Sequence, residues 1–277
     1  MSHHPIFEEF SRTESETSGL HVYDFLGGAT RVAYNRGWAS HAPAAGKKMR
    51  PGFPPPNEHY LDWIALLTAV SKASGTFRMA EFGAGWAPWL VRGALAARQK
   101  GMASQLLAVE ADPTHFDWVR EHFEDNGLDP DAHQLIQGAV SDKPETLRFP
   151  VIADPDVDYG ASLRVGETSA ETIEVRGYTI DELLARFDGP RDFLHIDIQG
   201  AEYDAVPPHL DLIGDRVRAI MIGTHMKDEL HDGLVDQLSA AGWQERLNLG
   251  RNRDNDTPWG VIRTNDGFLW FENGRAV

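Results

Sequence analysis

The sequence predicts an α/β fold in which helices cover both faces of an open, doubly wound sheet. Helical and strand patterns alternate from residue 59 onward, and the strand patterns are short apolar runs. Alternation of this kind is typical of βα units, and parallel strands covered on both faces require such runs. A length of 277 residues suffices for one large domain with an addition.

Composition excludes several classes of protein. The chain has 26 Lys and Arg against 42 Asp and Glu, a formal net charge of −16, and it has no cysteine. Because such a surface repels phosphate groups, we expect binding neither to nucleic acid nor to anionic membranes. Disulfides, Cys-ligated metals and thiol nucleophiles are excluded. An acidic N-terminus and the lack of an apolar stretch of about 18 residues predict a soluble, cytoplasmic protein.

Residues 1–58 have no regular pattern and predict an N-terminal arm or lid. Four prolines between positions 51 and 56 favour an extended connector. The aromatic residues Tyr23, Phe25, Tyr34 and Trp38 indicate that the segment packs on the rest of the chain. A structural addition and a cover over a substrate are equally compatible with this sequence. Self-association into a homo-oligomer, through this arm or the acidic surface, also stays open.

Hydrophobic patterns and terminal signals predict the helices and strands of the domain from 59 to 277. The predicted helices are 59–75, ending at a glycine; 88–101, opening with Pro88; 112–128, with Asp112 as N-cap and Asn126-Gly127 as its stop; 179–187; and 231–243. The predicted strands are FRMAEFG, SQLLAVEA, AHQLIQGAV, RDFLHIDIQ and RVRAIMIG, followed by weaker ones around WGVIRT and FLWFENG. A stretch at about 143–177 interrupts the alternation and predicts an inserted hairpin or loop.

The strand-to-helix turn at residues 81–88 is the most informative feature. It reads Glu81-Phe82-Gly83-Ala84-Gly85-Trp86-Ala87-Pro88. Two glycines let the backbone approach a ligand, and the helix start supplies free N–H groups. Ligands bind at such carboxyl ends of strands. We therefore expect a cofactor site here, and a structural turn is the alternative.

The surrounding residues favour a methyl-donor nucleotide over a dinucleotide. A G-x-G-x-x-G fingerprint needs Gly or Ala at position 88, where Pro88 stands. A carboxylate at Glu81 can hold a cationic amino group, such as the amino-acid end of S-adenosylmethionine, and would repel a pyrophosphate. Glu110 ends the next strand, where a carboxylate can accept hydrogen bonds from both ribose hydroxyls. An NAD site stays the alternative.

Several motifs resemble the FkbM family of class I S-adenosylmethionine-dependent methyltransferases. They are AEFGAGWAPWL, LLAVEADPTHFDWVREHFEDNGL, LIQGAVSD, YTIDELL and, most specifically, FLHIDIQGAEYDAV, and the similarity spans about residues 77–225. The resemblance implies a Rossmann-like, seven-stranded methyltransferase sheet and an enzyme of EC 2.1.1 type. It also implies a small-molecule acceptor, a hydroxyl of a sugar, glycosylated natural product or similar metabolite.

The same resemblance assigns residues to the cofactor. It implies that the methionine part contacts Glu81, Gly83 and Gly85, with Trp86 in the same turn, that the ribose contacts Glu110, and that the adenine lies near Ala139 and Asp142. Two positions depart from the family pattern. Ala87 occupies the third position of the glycine loop, and His195 stands where the family more often has lysine.

Candidate catalytic residues follow from the next two strand patterns. A period of two places His195, Asp197 and Gln199 on one side of the strand Phe193–Gln199. Asp197 is predicted to face the cofactor and acceptor as base, metal ligand or orienting group, and His195 is a catalytic candidate on the same side. The alternative is that both satisfy neighbouring loop N–H groups or each other.

His225 ends the following strand and is the candidate base or second metal ligand, because adjacent strands bring it towards Asp197. A loop hydrogen bond is its alternative role. Gln199 and Glu202 are predicted to orient the acceptor or hold Asp197, although Glu202 equally fits an ordinary first-turn acid of a helix. The remaining histidines have no metal-ligand spacing, so no strong motif supports a divalent metal.

Three other functions stay open at this point. An N-methyltransferase would act on a small amine, which needs no strong base. A Rossmann oxidoreductase would bind NAD at the same turn. The third is a non-catalytic cofactor-binding or scaffolding protein with a degenerate site, in which Asp197 and His225 would have no functional role.

Overall fold

A seven-stranded sheet forms the centre of the computed structural model, which describes residues 3–163 and 171–275. Its strands are β1 (Thr76–Phe82), β2 (Ala103–Glu110), β3 (Gln134–Gln137), β4 (Phe193–Ile196), β5 (Ala219–Thr224), β6 (Trp243–Leu249) and β7 (Gly267–Asn273). Their order across the sheet is β6-β7-β5-β4-β1-β2-β3. The predicted doubly wound α/β sheet of seven strands is confirmed.

The direction of the strands defines the ligand-binding edge. Strands β1 to β5 are mutually parallel, and β7 is antiparallel to both β5 and β6. From β1 the chain proceeds outward through β2 and β3, and then returns to β4 on the other side of β1. The carboxyl ends of β1 and β4 therefore form the switch point, where open α/β sheets bind ligands.

Helices cover both faces of the sheet. They are α1 (His59–Lys72), α2 (Pro88–Gln99), α3 (Pro113–Asp125), α4 (Ile180–Leu184), α5 (Glu202–Ala205), α6 (Leu210–Arg216) and α7 (Asp228–Ala240). Apolar side chains of α1, α2 and α3 form one core with the sheet, and those of α4, α6 and α7 form the other. Burial of this apolar surface is the main force that holds the layers together. Among the described residues, no helix has the length and apolarity that a bilayer span requires.

Helix starts follow the local signals in the sequence. Asp112 caps α3 by accepting a hydrogen bond from the amide of His115 at 2.9 Å. Pro88 is the first residue of α2, where its missing N–H is not needed. Thr179 and Glu182 form a capping box at α4. Helix α7 begins three residues before its predicted start, at Asp228.

Two predicted strands are wrong in detail. The run AHQLIQGAV splits at Gly138 into β3 and Ala139–Val140, which pairs with Thr172–Tyr178 instead. A Cβ at Gly138 would lie 2.7 Å from the carbonyl oxygen of Arg176, so this close crossing of the two segments requires glycine.

The predicted strand around WGVIRT is present but does not join the central sheet. The segment around WGVIRT forms a separate hairpin, Gly260–Thr264 with Arg253–Thr257, and the sheet strand is β6. Strand β6 escaped prediction because it lies at the sheet edge, where Gln244, Glu245 and Arg246 are exposed.

The N-terminal segment and the insertion meet above the sheet edge. Phe7 and Phe25 are buried in the core that α1 and α2 share, and the rings of Phe7 and Tyr60 stack at 5.1 Å. The predicted hairpin is formed by Thr146–Pro150 and Thr172–Tyr178, and residues 164–170 of the insertion lie outside the described residues.

An arginine of the N-terminal segment joins it to the insertion. Arg36 donates hydrogen bonds to Asp154 at 2.6 Å and to Asp156 at 2.9 and 2.8 Å. The hydroxyl of Tyr159 hydrogen-bonds the carbonyl of Tyr34 nearby. These contacts hold together two segments that are about 120 residues apart in the sequence.

Candidate active site

A cavity of about 590 Å³ lies at the carboxyl ends of β1, β2 and β4. This volume is in the range of roughly 300–1,000 Å³ found for small-molecule sites. The sequence-predicted residues that line it are Glu81, Gly83, Gly85, Trp86, Glu110, Ala139, His195, Asp197 and Gln199. His225 and Glu202 contact Asp197 or its neighbours but are not part of the wall. Asp142 is exposed outside the cavity and pairs with Lys143 at 3.3 Å.

The turn between β1 and α2 is shaped by residues in the left-handed region. Gly83 has φ +74°, and a Cβ there would lie 1.8 Å from the carbonyl oxygen of Asp197, so this crossing requires glycine. Gly85 has φ +55° and faces the ring of Tyr159. Ala87 also adopts this conformation, with φ 56° and ψ 50°. The turn therefore keeps the glycine-loop geometry although its third position carries a side chain.

Glu81 lies at the end of β1 and points at the start of α2. It is 1% exposed, and its Oε2 accepts a hydrogen bond from the amide of Leu90 at 2.9 Å. Burial raises the pKa of Glu81 to about 7, although His195 and the N–H groups of α2 oppose the rise. A cation placed beside this carboxyl would favour its ionised form.

Glu110 joins the end of β2 to the glycine turn. Its Oε2 accepts a hydrogen bond from the amide of Gly85 at 2.7 Å, and its Oε1 accepts one from the amide of Asp112 at 2.8 Å. Burial raises the pKa of this carboxyl as well. Since each carboxylate oxygen has two lone pairs, both oxygens keep the capacity to accept a further hydrogen bond from a ligand.

Asp197 is held by a chain of polar residues. Its Oδ1 accepts a hydrogen bond from Nε2 of Gln199 at 2.9 Å and lies 3.1 Å from Nε2 of His225. Nδ1 of His225 lies 3.2 Å from Oε1 of Glu202, which also accepts the backbone N–H of His225 at 3.0 Å. Glu202 is fully buried, and its other oxygen accepts the amide of Gly200 at 2.8 Å. The adjacency of Asp197 and His225 that the strand order predicts is thus present.

The two carboxylates of Asp197 and Glu202 determine the charge of the His225 imidazole between them. Burial alone would lower the pKa of His225, but Asp197 and Glu202 outweigh it and raise the pKa to about 10. Burial would raise the pKa of Asp197, but the hydrogen bond from His225 holds it below the ordinary value. His225 is therefore an imidazolium near neutral pH and has no free lone pair, which does not favour its predicted role as a base. It positions an ionised Asp197 instead.

His195 lies in the wall between two carboxyls. It pairs in register with Glu81 of β1, and its Nε2 is 3.5 Å from Oδ1 of Asp62 in α1. Burial opposes protonation, but Asp62 and Glu81 outweigh it and raise the pKa of His195. The ring lies 5.8 Å from that of Trp89. These surroundings favour the protonated form of His195, whose positive charge balances the carboxyls of Asp62 and Glu81.

Comparison with known proteins identifies the family. Residues 91–244 match the family model described as the methyltransferase FkbM domain. The chain belongs to the FkbM methyltransferase family. A curated protein of Jannaschia sp. (strain CCS1), named as a methyltransferase, is 33% identical over 208 residues, which cover 69% of this chain and 72% of that protein.

Two solved structures are among those similar to this methyltransferase. The methyltransferase FkbM from Methylobacillus flagellatus KT is 15% identical with a TM-score of 0.45, over 77% of this chain and 54% of that one. The precorrin-6y C5,15-methyltransferase from Geobacter metallireducens GS-15 is 12% identical with a TM-score of 0.43, over 75% and 86% of the two chains.

Sequence reasoning missed part of the wall of this FkbM-family cavity. The missed residues are Asn35, Asn57, His59, Trp89, Arg92, Phe149, Ile152 and Tyr159. Two charged helix positions were a usable signal: the half-buried Arg92 interrupts the apolar run of α2, and the buried Asp62, beside His195, interrupts that of α1. A charged residue within an apolar helix face requires a partner. The residues from the insertion and the N-terminal segment carried no such signal.

The predicted metal ligands Asp197 and His225 are not part of a larger group of metal-binding side chains in the described residues. Over residues 3–163 and 171–275, no group of three or more His, Asp or Glu side chains is arranged to hold a metal ion. Asp197 and His225, the two predicted ligands, bind each other.

Proposed function

We propose that this methyltransferase uses S-adenosylmethionine to methylate a hydroxyl group of a sugar, a glycosylated natural product or a similar small metabolite. The observation that carries this proposal is that the glycine turn, two strand-end carboxyls and an ionised aspartate line one cavity. The acceptor class comes from the family resemblance, and the ionised Asp197 is compatible with it.

The cavity residues fit the cofactor. Glu81 would hold its ammonium group, and Glu110 would accept the ribose hydroxyls through its remaining lone pairs. Gly83 and Gly85 leave the backbone open, and Ala139 and Val140 offer an apolar surface for the adenine. When bound, S-adenosylmethionine supplies an electrophilic methyl group on a sulfonium.

Asp197 is the residue that we assign to the acceptor. A hydroxyl becomes a better nucleophile when a base accepts its proton, and methyl transfer otherwise depends mainly on alignment. Gln199 and His225 hold one oxygen of Asp197, so the carboxylate is oriented before the acceptor arrives. Asn35 and Asn57 add amide groups to the wall, which suits an acceptor with several hydroxyls.

Calorimetric titration with S-adenosylhomocysteine and with NAD tests the cofactor. We expect binding of the former only, and tight binding of NAD alone would overturn the proposal. The acceptor is tested with radiolabelled S-adenosylmethionine and a panel of glycosides and amines.

The Asp197→Asn variant separates O- from N-methylation. For a hydroxyl acceptor we expect kcat to fall about 10²- to 10⁴-fold, the range for loss of a general base, with unchanged affinity for S-adenosylhomocysteine. For an amine acceptor the same variant would mainly raise KM. That result would overturn the proposed O-methylation in favour of N-methylation.

A further inference from the structure

Arg92 occupies the cavity wall next to the first carboxyl of the glycine turn. Its side chain is 20% exposed and lines the cavity. The guanidinium carbon lies 4.4 Å from the ring centroid of Trp89 and 4.7 Å from that of Trp63. Contacts with two aromatic faces hold a guanidinium in place without using its N–H groups.

The guanidinium of Arg92 has few acceptors within the protein. Its ion-pair partner is Asp24, whose Oδ2 lies 3.5 Å from Nε, the outer limit of a hydrogen bond. Oδ1 of Asp24 already accepts the amides of Leu26 at 2.9 Å and Gly28 at 3.0 Å. At this distance the contact between Asp24 and the Arg92 guanidinium is a weak hydrogen bond. A guanidinium has five N–H donors, so a largely buried one with a single weak partner can still bind a further acceptor.

Charges around Arg92 identify the chemistry of that acceptor. Burial lowers the pKa of Arg92 against the opposing effect of Asp24, Glu81 and Asp62, so Arg92 and Glu81 are within electrostatic range of each other. A cation and a carboxyl that line the same cavity match a zwitterion, whose ammonium and carboxylate are joined through one carbon. Arginine binds carboxylates through paired N–H groups.

We propose that Arg92 binds the carboxylate at the amino-acid end of the cofactor, while Glu81 holds the ammonium. The inference rests on the proposed use of S-adenosylmethionine. A carboxylate on the acceptor is the other source of the same chemistry. The cofactor is favoured because Arg92 lies on α2, whose first turn hydrogen-bonds Glu81, and both residues line the cavity.

The test compares two ligands by calorimetry. S-adenosylhomocysteine carries the amino-acid group, and 5′-methylthioadenosine has the same nucleoside and thioether without it. The wild type should bind both. Arg92→Met should weaken S-adenosylhomocysteine about 10- to 100-fold, the range for one charge-assisted pair, and leave 5′-methylthioadenosine unchanged. Arg92→Lys should lie between the wild type and Arg92→Met.

Asp24→Asn is the matched control, because it removes the ion-pair partner of Arg92 without altering the cavity wall. It should keep the affinity for S-adenosylhomocysteine. Equal loss of both ligands in Arg92→Met, or an equal loss in Asp24→Asn, would show a disrupted wall and overturn the inference. Unchanged affinity for S-adenosylhomocysteine would overturn it in favour of an acidic acceptor. If the wild type binds neither ligand, the proposed function fails first.

Discussion

If Glu81 holds the ammonium group as proposed, its raised pKa should make cofactor affinity depend on pH. With a pKa of about 7, Glu81 is about one-tenth ionised at pH 6 and about nine-tenths ionised at pH 8. An ammonium group binds the ionised form, so affinity for S-adenosylhomocysteine should rise about tenfold between these pH values. His195 and Arg92 are the cations nearest this carboxyl, and both favour its ionisation.

Glu81→Gln removes the titrating group and should abolish this dependence. Affinity is measured by calorimetry at several pH values, with 5′-methylthioadenosine as the ligand that lacks an amino group. Its affinity should be flat with pH in both proteins. Wild-type affinity for S-adenosylhomocysteine that does not change from pH 6 to 8, or an unchanged slope in Glu81→Gln, would refute the reasoning.

The same carboxyl affects stability in the opposite direction. Its folded-state pKa is raised from 4.5 to about 7, so its contribution is fully present below pH 4.5 and is lost as the pH rises through about 7. The difference corresponds to about 3 kcal/mol. In urea unfolding without ligand, Glu81→Gln should therefore lose less stability than the wild type between these pH values.

Three further substitutions have defined outcomes. His225→Gln leaves the buried Glu202 without its cation, and should lower the free energy of unfolding in urea by about 3 kcal/mol; an unchanged midpoint would contradict the imidazolium assignment. Ala87→Gly relieves a left-handed alanine and should raise stability by about 1 kcal/mol, measured by thermal melting, and a lower melting temperature would count against it. Gly83→Ala places a Cβ against the Asp197 carbonyl, and should abolish binding of S-adenosylhomocysteine or folding itself; normal binding would show that the turn is not held as described.

Much of the site could be predicted because it depends on strand order and on local turns. Glycines before a helix start and acids at strand ends are visible in the chain, and the carboxyl ends of neighbouring parallel strands meet at one edge. These features brought Glu81, Glu110 and Asp197 into one cavity. The charge of His225 could not be predicted, because it depends on Glu202, which reaches back from the following turn.

Other parts depend on tertiary contacts without a local pattern. Strand β6 has three consecutive exposed polar residues, Gln244, Glu245 and Arg246, and resembles a loop in sequence. Arg92 acquires its surroundings from Asp24 and Trp63, which belong to two other segments. The family resemblance implies that Asp142 lies near the adenine, but the chain after Ala139–Val140 places Asp142 at the surface.

Arg36 joins the N-terminal segment to the insertion through its ion pairs with Asp154 and Asp156. Part of the cavity wall comes from the N-terminal segment and the insertion, which exposed ion pairs of Arg36 join, whereas another part comes from the strand ends of the sheet. Surface segments tolerate substitution and insertion at little cost in stability. Under the proposed function, substitutions in the N-terminal segment and the insertion should therefore change the acceptor, while the strand-end residues that we assign to the cofactor stay the same.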